Sequence, residues 1–276
     1  MILAELIARA KIAAVANNIP QTDYWLVISY FLKLSRTEIF VFSQRVLTEQ
    51  ENITLTDAFR RLENGEPPQY ITGEAYFYGL ELRVNSFTLI PRPETERLVE
   101  LTLERLQGNE KILDIGTGSG AIAIALKQYL PKVEVYATDC SSSALEVAKA
   151  NAEKYDVNIH FFLTDCFPPC SEIYDVIISN PPYISKTDLA TLDSRIRDKE
   201  PKLALYGGED GLDFYRKLLL QSYAYLTENG FLALEHGDNQ KEAITNIAKK
   251  EGWTKILSRQ DLTGRERYLF ISGKKD

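Results

Sequence analysis

The chain has 276 residues, 45% of them hydrophobic, and its 32 basic and 39 acidic side chains leave a net charge of −7. That length accommodates one large domain and a smaller one with an ordinary packed core. The negative balance offers no global positive field to gather a polyanion, which disfavours bulk nucleic-acid or anionic-membrane binding. The N-terminal Met1-Ile2-Leu3-Ala4-Glu5-Leu6 has no basic stretch ahead of an apolar one. No apolar run approaches the roughly eighteen residues of a membrane span either, so a cytoplasmic location is expected. Residues 1–72 read as a small all-helical domain. Leu3, Leu6, Ile7 and Ala10 recur at helical spacing, and Trp25, Ile28, Ser29 and Leu32 repeat the stripe after a start signal at Thr22-Asp23. Ser35 and Glu38 have capping-box spacing, and Thr54-Leu55-Thr56-Asp57 offers a further helix start that Gly65 can end. Eight acids against seven bases over this span make it no DNA-gripping domain. Gly65-Glu66-Pro67-Pro68 then breaks helix, and residues 73–90, rich in aromatic and β-branched side chains with Gly79 and Asn85-Ser86 as turn candidates, predict a β-hairpin linker.

From residue 91 to 276 strands and helices alternate. Strands are expected at 111–115, 133–138, 159–163, 174–179, 231–235, 254–257 and 267–272, and helices at 94–106, from 119, from 141, at 211–227 and at 239–251. Apolar strands alternating with helices imply a mainly parallel, doubly wound α/β sheet, here of seven strands. Residues 258–266 are too few for a crossover helix, so the last strand is expected to run antiparallel.

Four segments carry chemistry-bearing residues. Asn180-Pro181-Pro182-Tyr183 follows the buried-strand pattern 174–179 and so lies at the carboxyl end of a central strand, where open α/β sheets bind ligands. Asn180 can accept an N–H through its side-chain oxygen, Pro181 leaves a carbonyl free while fixing φ, and Tyr183 can cover a flat group. Such a cradle suits a planar amide or amino nitrogen, although the same residues also make a good strand stop. Asp114-Ile115-Gly116-Thr117-Gly118-Ser119-Gly120 closes the first sheet strand and opens a helix, letting backbone N–H groups approach a nucleotide-type ligand. Asp139 ends the second strand, where it can accept both hydroxyls of a ribose while Ser141 caps the next helix. Asp165 ends the third, placed for an exocyclic amine with Cys166 and Phe167 as an apolar wall; an Asx turn before Pro168-Pro169 is the alternative. Gly116-x-Gly118-x-x-Ala121 with Asp139 also meets the loose NAD fingerprint, which keeps a dinucleotide oxidoreductase open. Cys140, Cys166 and Cys170 lack the second ligand pair of a closed zinc site, so no metal is expected and the thiols are taken as reduced.

Further motifs are Gly65-x-Pro67-x-Gln69-Tyr70-Ile71, Phe77-Tyr78-Gly79-Leu80, Leu89-Ile90-Pro91-Arg92-Pro93-Glu94-Thr95-Glu96, Glu200-Pro201 with Ala204-Leu205 and Gly207-Gly208, and Asp261-Leu262-x-Gly264-Arg265. With the glycine loop and residues 180–183, they make nearly the whole chain resemble the class I S-adenosylmethionine-dependent methyltransferases. More narrowly, the chain resembles the HemK/PrmC family, which methylates the side-chain amide nitrogen (N5) of the glutamine in the Gly-Gly-Gln motif of peptide chain release factors. Asn-Pro-Pro-Tyr alone also fits adenine-N6 or cytosine-N4 enzymes acting on nucleic acid; the proline-arginine-proline segment after a short helical domain is what narrows it. A partner-binding module with a vestigial cofactor fold is the non-enzymatic alternative.

The resemblance implies S-adenosyl-L-methionine as cofactor, release factors as protein partners without direct nucleic-acid or membrane binding, and the seven-stranded class I methyltransferase sheet with its antiparallel last strand. A monomer is expected. It implies cofactor contacts from Asp114, Gly116, Thr117, Gly118, Ser119, Gly120, Asp139, Asp165, Cys166, Phe167 and Asn180. Asn180, Pro181 and Tyr183 become the catalytic group, and Pro182, Arg92 and Glu94 join them at the substrate. Cys166 departs from members that carry a large aromatic there, which thins the adenine wall. Glu94 and Glu96 serve equally well as first-turn acids of a helix. Residues 184–210 read as a lid or a surface connection, and Glu235-His236 as pocket neighbours or structural residues.

Overall fold

The computed structural model describes residues 1–169 and 172–274. These divide into two units, Met1–Glu74 together with Asp193–Lys199, and Ala75–Leu192 together with the chain from Glu200 onward.

The first unit is built on α1 (Leu3–Ala16), α2 (Gln21–Leu32), α3 (Arg36–Val41), α4 (Glu49–Glu63) and α5 (Pro68–Thr72). Leu3, Leu6, Ile7 and Ala10 of α1, Trp25, Ile28 and Leu32 of α2, and Leu55, Ala58, Phe59 and Leu62 of α4 share one apolar cluster, in which Tyr24 meets Phe59 edge to face at 4.9 Å. Each of the buried leucine, isoleucine and phenylalanine side chains stabilises the unit by roughly 1.5–3 kcal/mol relative to exposure. The Ser35 hydroxyl accepts the Glu38 N–H at 3.2 Å while the Ser35 N–H donates to the Glu38 carboxylate at 2.8 Å, the expected box. Gly65, at φ +78, ends α4 by donating its N–H to the Leu62 carbonyl. Two helix starts differ from expectation. Pro20 rather than Thr22-Asp23 precedes α2, its fixed φ being suited to a helix entry. The cap of helix α4 is Thr48, six residues before Thr54, because Thr48 and Glu51 cap it reciprocally at 3.2 and 2.9 Å, whereas Asp57 is a shorter acid already bound to Arg60 at 2.6 Å.

The second unit opens, from Ala75, on a hairpin of β1 (Glu74–Phe77, its first residue counted with the first unit) and β2 (Leu80–Arg83), which turns on Tyr78 and Gly79, both at positive φ, as a tight two-residue hairpin turn requires. There follow α6 (Pro93–Leu103), β3 (Lys111–Ile115), α7 (Ala121–Tyr129), β4 (Glu134–Asp139), α8 (Ser142–Lys154), β5 (His160–Leu163) and β6 (Tyr174–Ser179). After them come α9 (Lys186–Thr191), α10 (Ser194–Arg197, counted with the first unit), α11 (Lys202–Leu205), α12 (Asp213–Gln221), β7 (Leu226–Glu235), α13 (Lys241–Lys250), β8 (Trp253–Gln260) and β9 (Glu266–Lys274). The sheet order is β5-β4-β3-β6-β7-β9-β8. Strand β9 runs antiparallel to both its neighbours, as the short connection before it demands. Helix α7 starts at Ala121, not Ser119, since Gly118 and Gly120 sit at φ +57 and +83 and cannot be helical. Helix α12 is shorter than expected, passing through a 3₁₀ turn at Ser222–Tyr225 into a longer β7.

Alternation along the strands sorts the core. Ile112, Val176, Ile178, Ala233 and Phe270 face α6 and α7 on one side, while Leu113, Ile177, Leu232, Leu234 and Leu269 face α12 and α13 on the other. With both faces covered, the strands read as continuous apolar runs. The strand order reverses between β3 and β6, which opens a crevice at their carboxyl ends. No described helix is long and apolar enough to cross a membrane.

Candidate active site

Two loops meet at that crevice. Asp114 to Gly120 leaves β3, and Asn180 to Tyr183 leaves β6. The Ser179 hydroxyl donates to the Ile115 carbonyl at 2.7 Å and locks the two strand ends together. Ile115, Gly116, Gly118, Asp139, Cys140, Asp165, Cys166, Asn180 and Pro182 line one cavity there. Its far walls come from Phe87, Thr88 and Leu89 before α6, from Pro201, Leu203 and Ala204 around α11, and from Phe214 of α12.

The glycine loop is stitched down. Gly116 and Thr117 both donate their N–H to the Thr138 carbonyl at 2.9 Å, and Gly118 donates to Asp139 Oδ2 at 2.9 Å. The expectation that these amides point at a ligand is therefore corrected: what faces the cavity is bare Cα, since nothing lies within 4 Å of a Cβ added at Gly116 or Gly118. Asp114 lies wholly buried beneath the loop with Oδ2 accepting the Thr117 hydroxyl at 2.6 Å. Burial pushes its carboxyl up to about 7, against that hydrogen bond. Thr117 and Ser119 are buried as well, and none of Asp114, Thr117, Ser119 and Gly120 lines the cavity. They shape the loop. Asn151 of α8 helps, donating to the Ser119 and Arg83 carbonyls at 2.9 Å.

Asp139 accepts the Gly118 N–H on one oxygen and the Ser141 N–H on the other, each at 2.9 Å. Ser141 caps α8 as expected, yet the acid is not wholly free; each oxygen keeps a lone pair. Burial raises its pKa in spite of those two bonds. The Asp165 side chain is 73% exposed and pairs with Lys217 at 2.8 Å. Phe167 departs from expectation. Cys166 adopts φ +116 with its carbonyl held by the Thr138 hydroxyl at 2.7 Å, and the next ring turns into the core, stacking on Tyr225 at 4.4 Å. Only Cys166 of that pair lines the cavity, its thiol pushed by burial up to about 12. The Cys166–Cys170 spacing lies partly outside the described residues, among which no cluster suited to a metal occurs.

Asn180 donates from Nδ2 to Thr95 Oγ1 at 2.9 Å, and Thr95 donates to Glu235 Oε2 at 2.7 Å. Asn180 Oδ1 accepts nothing among the described residues, and Asn180 lines the cavity. Pro182 lines the cavity while Pro181 and Tyr183 do not. The Tyr183 ring leans on the apolar cluster under α12 and α13, and burial pushes its phenol up to about 12, so it stays protonated.

Arg92 and Glu94 lie outside the cavity lining. Arg92 grips Glu200 at 2.6 Å, whose other oxygen accepts the Ile90 N–H; Glu94 is an exposed first-turn acid whose carbonyl holds the Tyr268 hydroxyl. Glu200 is only 2% exposed in its side chain, so Arg92→Met strands a carboxylate. We expect a loss of about 1–3 kcal/mol in thermal unfolding; an unchanged melting curve would show that water replaces the guanidinium. His236 is fully buried with Nδ1 at 2.8 Å from the Gly237 carbonyl, a structural residue.

The chain is matched over residues 5–73 by a family model for the PrmC N-terminal domain and over 95–208 by one for the Methyltransferase small domain. It is 42% identical over 240 residues to a release factor glutamine methyltransferase of Streptococcus pneumoniae, covering 86% of each. The chain belongs to the release factor glutamine methyltransferase family. A Deinococcus radiodurans member is 37% identical over 264 residues, 95% of this chain and 94% of that one. Among solved structures, a methyltransferase from Pyrococcus furiosus matches with TM-score 0.54 at 25% identity, over 71% of this chain and 90% of that chain. The sheet is thus that of the class I methyltransferases, and the family's methyl donor is S-adenosylmethionine.

Four functional neighbours escaped the sequence reading of the site: Phe87, Leu203, Asn151 and Thr95. Thr95 sits inside a quoted motif, but nothing along the chain signals its partner 85 residues away.

Proposed function

We propose that this chain methylates the side-chain amide nitrogen (N5) of the glutamine in the Gly-Gly-Gln motif of peptide chain release factors. The Asn180 carboxamide carries the reading, because its Oδ1 is uncommitted on a residue that lines the same cavity as Gly116 and Gly118. The cavity fits S-adenosylmethionine. Bare backbone at Gly116 and Gly118 permits close approach, Asp139 keeps lone pairs for ribose hydroxyls, exposed Asp165 can accept from an exocyclic amine, and Cys166 with Leu203 offers apolar contact to a base.

When bound, the cofactor supplies an electrophilic methyl on a positively charged sulfur. Asn180 Oδ1 and the Pro181 carbonyl accept the two N–H bonds of the substrate amide, drawing its nitrogen toward tetrahedral character and stabilising the positive charge that develops there. Fixing the nitrogen in line with the methyl is worth up to about 7–11 kcal/mol in favourable systems, which an amide needs because its lone pair is delocalised. Tyr183, neutral at working pH, packs its ring against the core behind the cradle and supports it there. The nitrogen's surplus proton then leaves to water, so no strong base is required.

A protein partner suits the charges better than nucleic acid. The basic residues that would grip phosphate, Arg60 and Arg61, are matched by Asp57 at 2.6 Å and Glu66 at 2.5 Å, and Lys33 lies over the Tyr30 ring. We take the enzyme to act as a cytoplasmic monomer. The test is mass spectrometry of release factors incubated with the chain and labelled cofactor: the Gly-Gly-Gln glutamine gains one methyl, and a methyl appearing on DNA or RNA instead sinks the proposal. Asp139→Ala is expected to weaken cofactor binding about 10- to 100-fold, the worth of hydrogen bonds to a charged group. Calorimetry with unaltered affinity would take Asp139 out of the site.

A further inference from the structure

Asn180 is useful only if its oxygen, not its NH₂, faces the substrate, and an amide side chain has nearly the same shape either way round. Something must choose. Thr95 Oγ1 owns one proton and lies 2.7 Å from Glu235 Oε2. An ionised carboxylate only accepts, so the threonine proton goes to it. Thr95 Oγ1 can then hold the Asn180 terminus, 2.9 Å away, only as an acceptor, which demands the Asn180 nitrogen on that side. The oxygen is left uncommitted, on a residue that lines the cavity.

We propose that Thr95 and Glu235 are positioning residues that fix the direction of the Asn180 carboxamide, and thereby select a reacting nitrogen that carries two N–H groups. The inference rests on Asn180 being the amide acceptor. A reversed carboxamide would present N–H to N–H and reject the glutamine amide. The relay is itself anchored: Thr95 and Glu235 are both buried, the Tyr215 hydroxyl donates to the Glu235 carbonyl at 2.7 Å, and the Tyr268 hydroxyl holds the Glu94 carbonyl at 2.6 Å, next to Thr95.

The device carries a pH signature. Burial lifts the Glu235 carboxyl to about 7, opposed by the Thr95 bond and Arg267. The charged or titratable groups around it are Arg267 and Tyr268 on β9, Glu94 and Arg92 at the start of α6, Tyr183 after β6 and Tyr215 on α12. The neighbouring His236 is held toward its neutral form by burial. The tyrosines stay protonated and Arg267 stays charged, so Glu235 is the group that changes. When protonated it can donate to Thr95, which frees the threonine proton for Asn180 Oδ1 and permits the reversed amide. Turnover should therefore rise as pH increases through about 7.

The test uses the full chain with a release factor and S-adenosylmethionine. Thr95→Val removes the acceptor at nearly constant volume and is expected to lower kcat up to about 100-fold, the scale for misplacing a reacting group, while cofactor affinity by calorimetry stays within about threefold. Thr95→Ser should restore most of the loss. Glu235→Gln should lower kcat and abolish the limb near pH 7. Wild-type kcat in Thr95→Val together with an unchanged pH profile in Glu235→Gln overturns the relay, provided Asn180→Ala is inactive. If Asn180→Ala turns over as fast as the parent, the underlying reading has failed and the relay goes with it. Should Thr95→Val misfold, the Glu235→Gln profile decides alone.

Discussion

Asn180→Ala should lower kcat for methyl transfer by about 10²–10³-fold, the scale for deleting one positioned polar group that stabilises developing charge. The loss should fall on kcat rather than on cofactor binding, since the carboxamide's nitrogen is engaged with Thr95 and its oxygen is the part left for the reaction. Alanine removes that oxygen and leaves the glycine loop, Asp139 and Ser179 untouched, so calorimetric affinity for S-adenosylmethionine should stay within about threefold. Equal falls in kcat and kcat/KM would mark an interaction made only in the transition state. Asn180→Asp is a sharper probe. It keeps an acceptor but loses the NH₂ that Thr95 holds, and it places a second carboxylate near Glu235. A normal turnover number in Asn180→Ala would end the catalytic assignment.

Gly207→Ala is the second large effect. A methyl there would lie 2.6 Å from the Pro182 carbonyl oxygen, 2.8 Å from Tyr183 Cα and 2.9 Å from the Gly211 carbonyl oxygen. All three are main chain, so no side chain can swing away. Gly207 is also tied in place, its N–H donating to the Ile184 carbonyl at 2.9 Å and its carbonyl accepting from Asp213 at 3.0 Å. The main chain that must yield is at Pro182 and Tyr183, directly after Asn180 and Pro181, or at Gly211. Overpacking of this kind costs about 1–3 kcal/mol, and the accompanying shift of the cradle should reduce kcat by up to about 100-fold. Thermal unfolding and single-turnover methyl transfer measure the two separately. A variant as stable and as fast as the parent would show that the loop has slack.

Sequence pattern reached the sheet because each strand that enters it is a short apolar run bounded by turn residues, and because the connection before β9 is too short for a crossover helix. It reached Asn180 and Asp139 because strand ends are visible in a one-dimensional pattern. It did not reach the things that hold them. Thr95 and Glu235 are 140 residues apart, and Glu200 and Arg92 are 108 apart. Neither spacing leaves a local trace. Phe167 was misplaced for a different reason: the positive φ at Cys166, uncommon for a residue with a side chain, sends the following ring to the other side of the chain. The glycine loop was recognised, but its amides are satisfied by Thr138 and Asp139 rather than held open, which only the pairing of β3 with β4 reveals. In the helical unit, two threonine starts competed for α4, and the one with a glutamate long enough to reach back prevailed.

The membership of Asp193–Lys199 in the helical unit bears on how the protein is taken apart. Arg195 reaches Asp23 at 3.2 Å, and added bulk at Gly65 would touch Lys199 and Arg195 side chains. A clone truncated at residue 74 would strip Asp23, whose carboxyl is already raised by burial, of its counter-ion. Expression trials of that fragment should therefore append the 193–199 peptide through a designed linker, or supply it in trans.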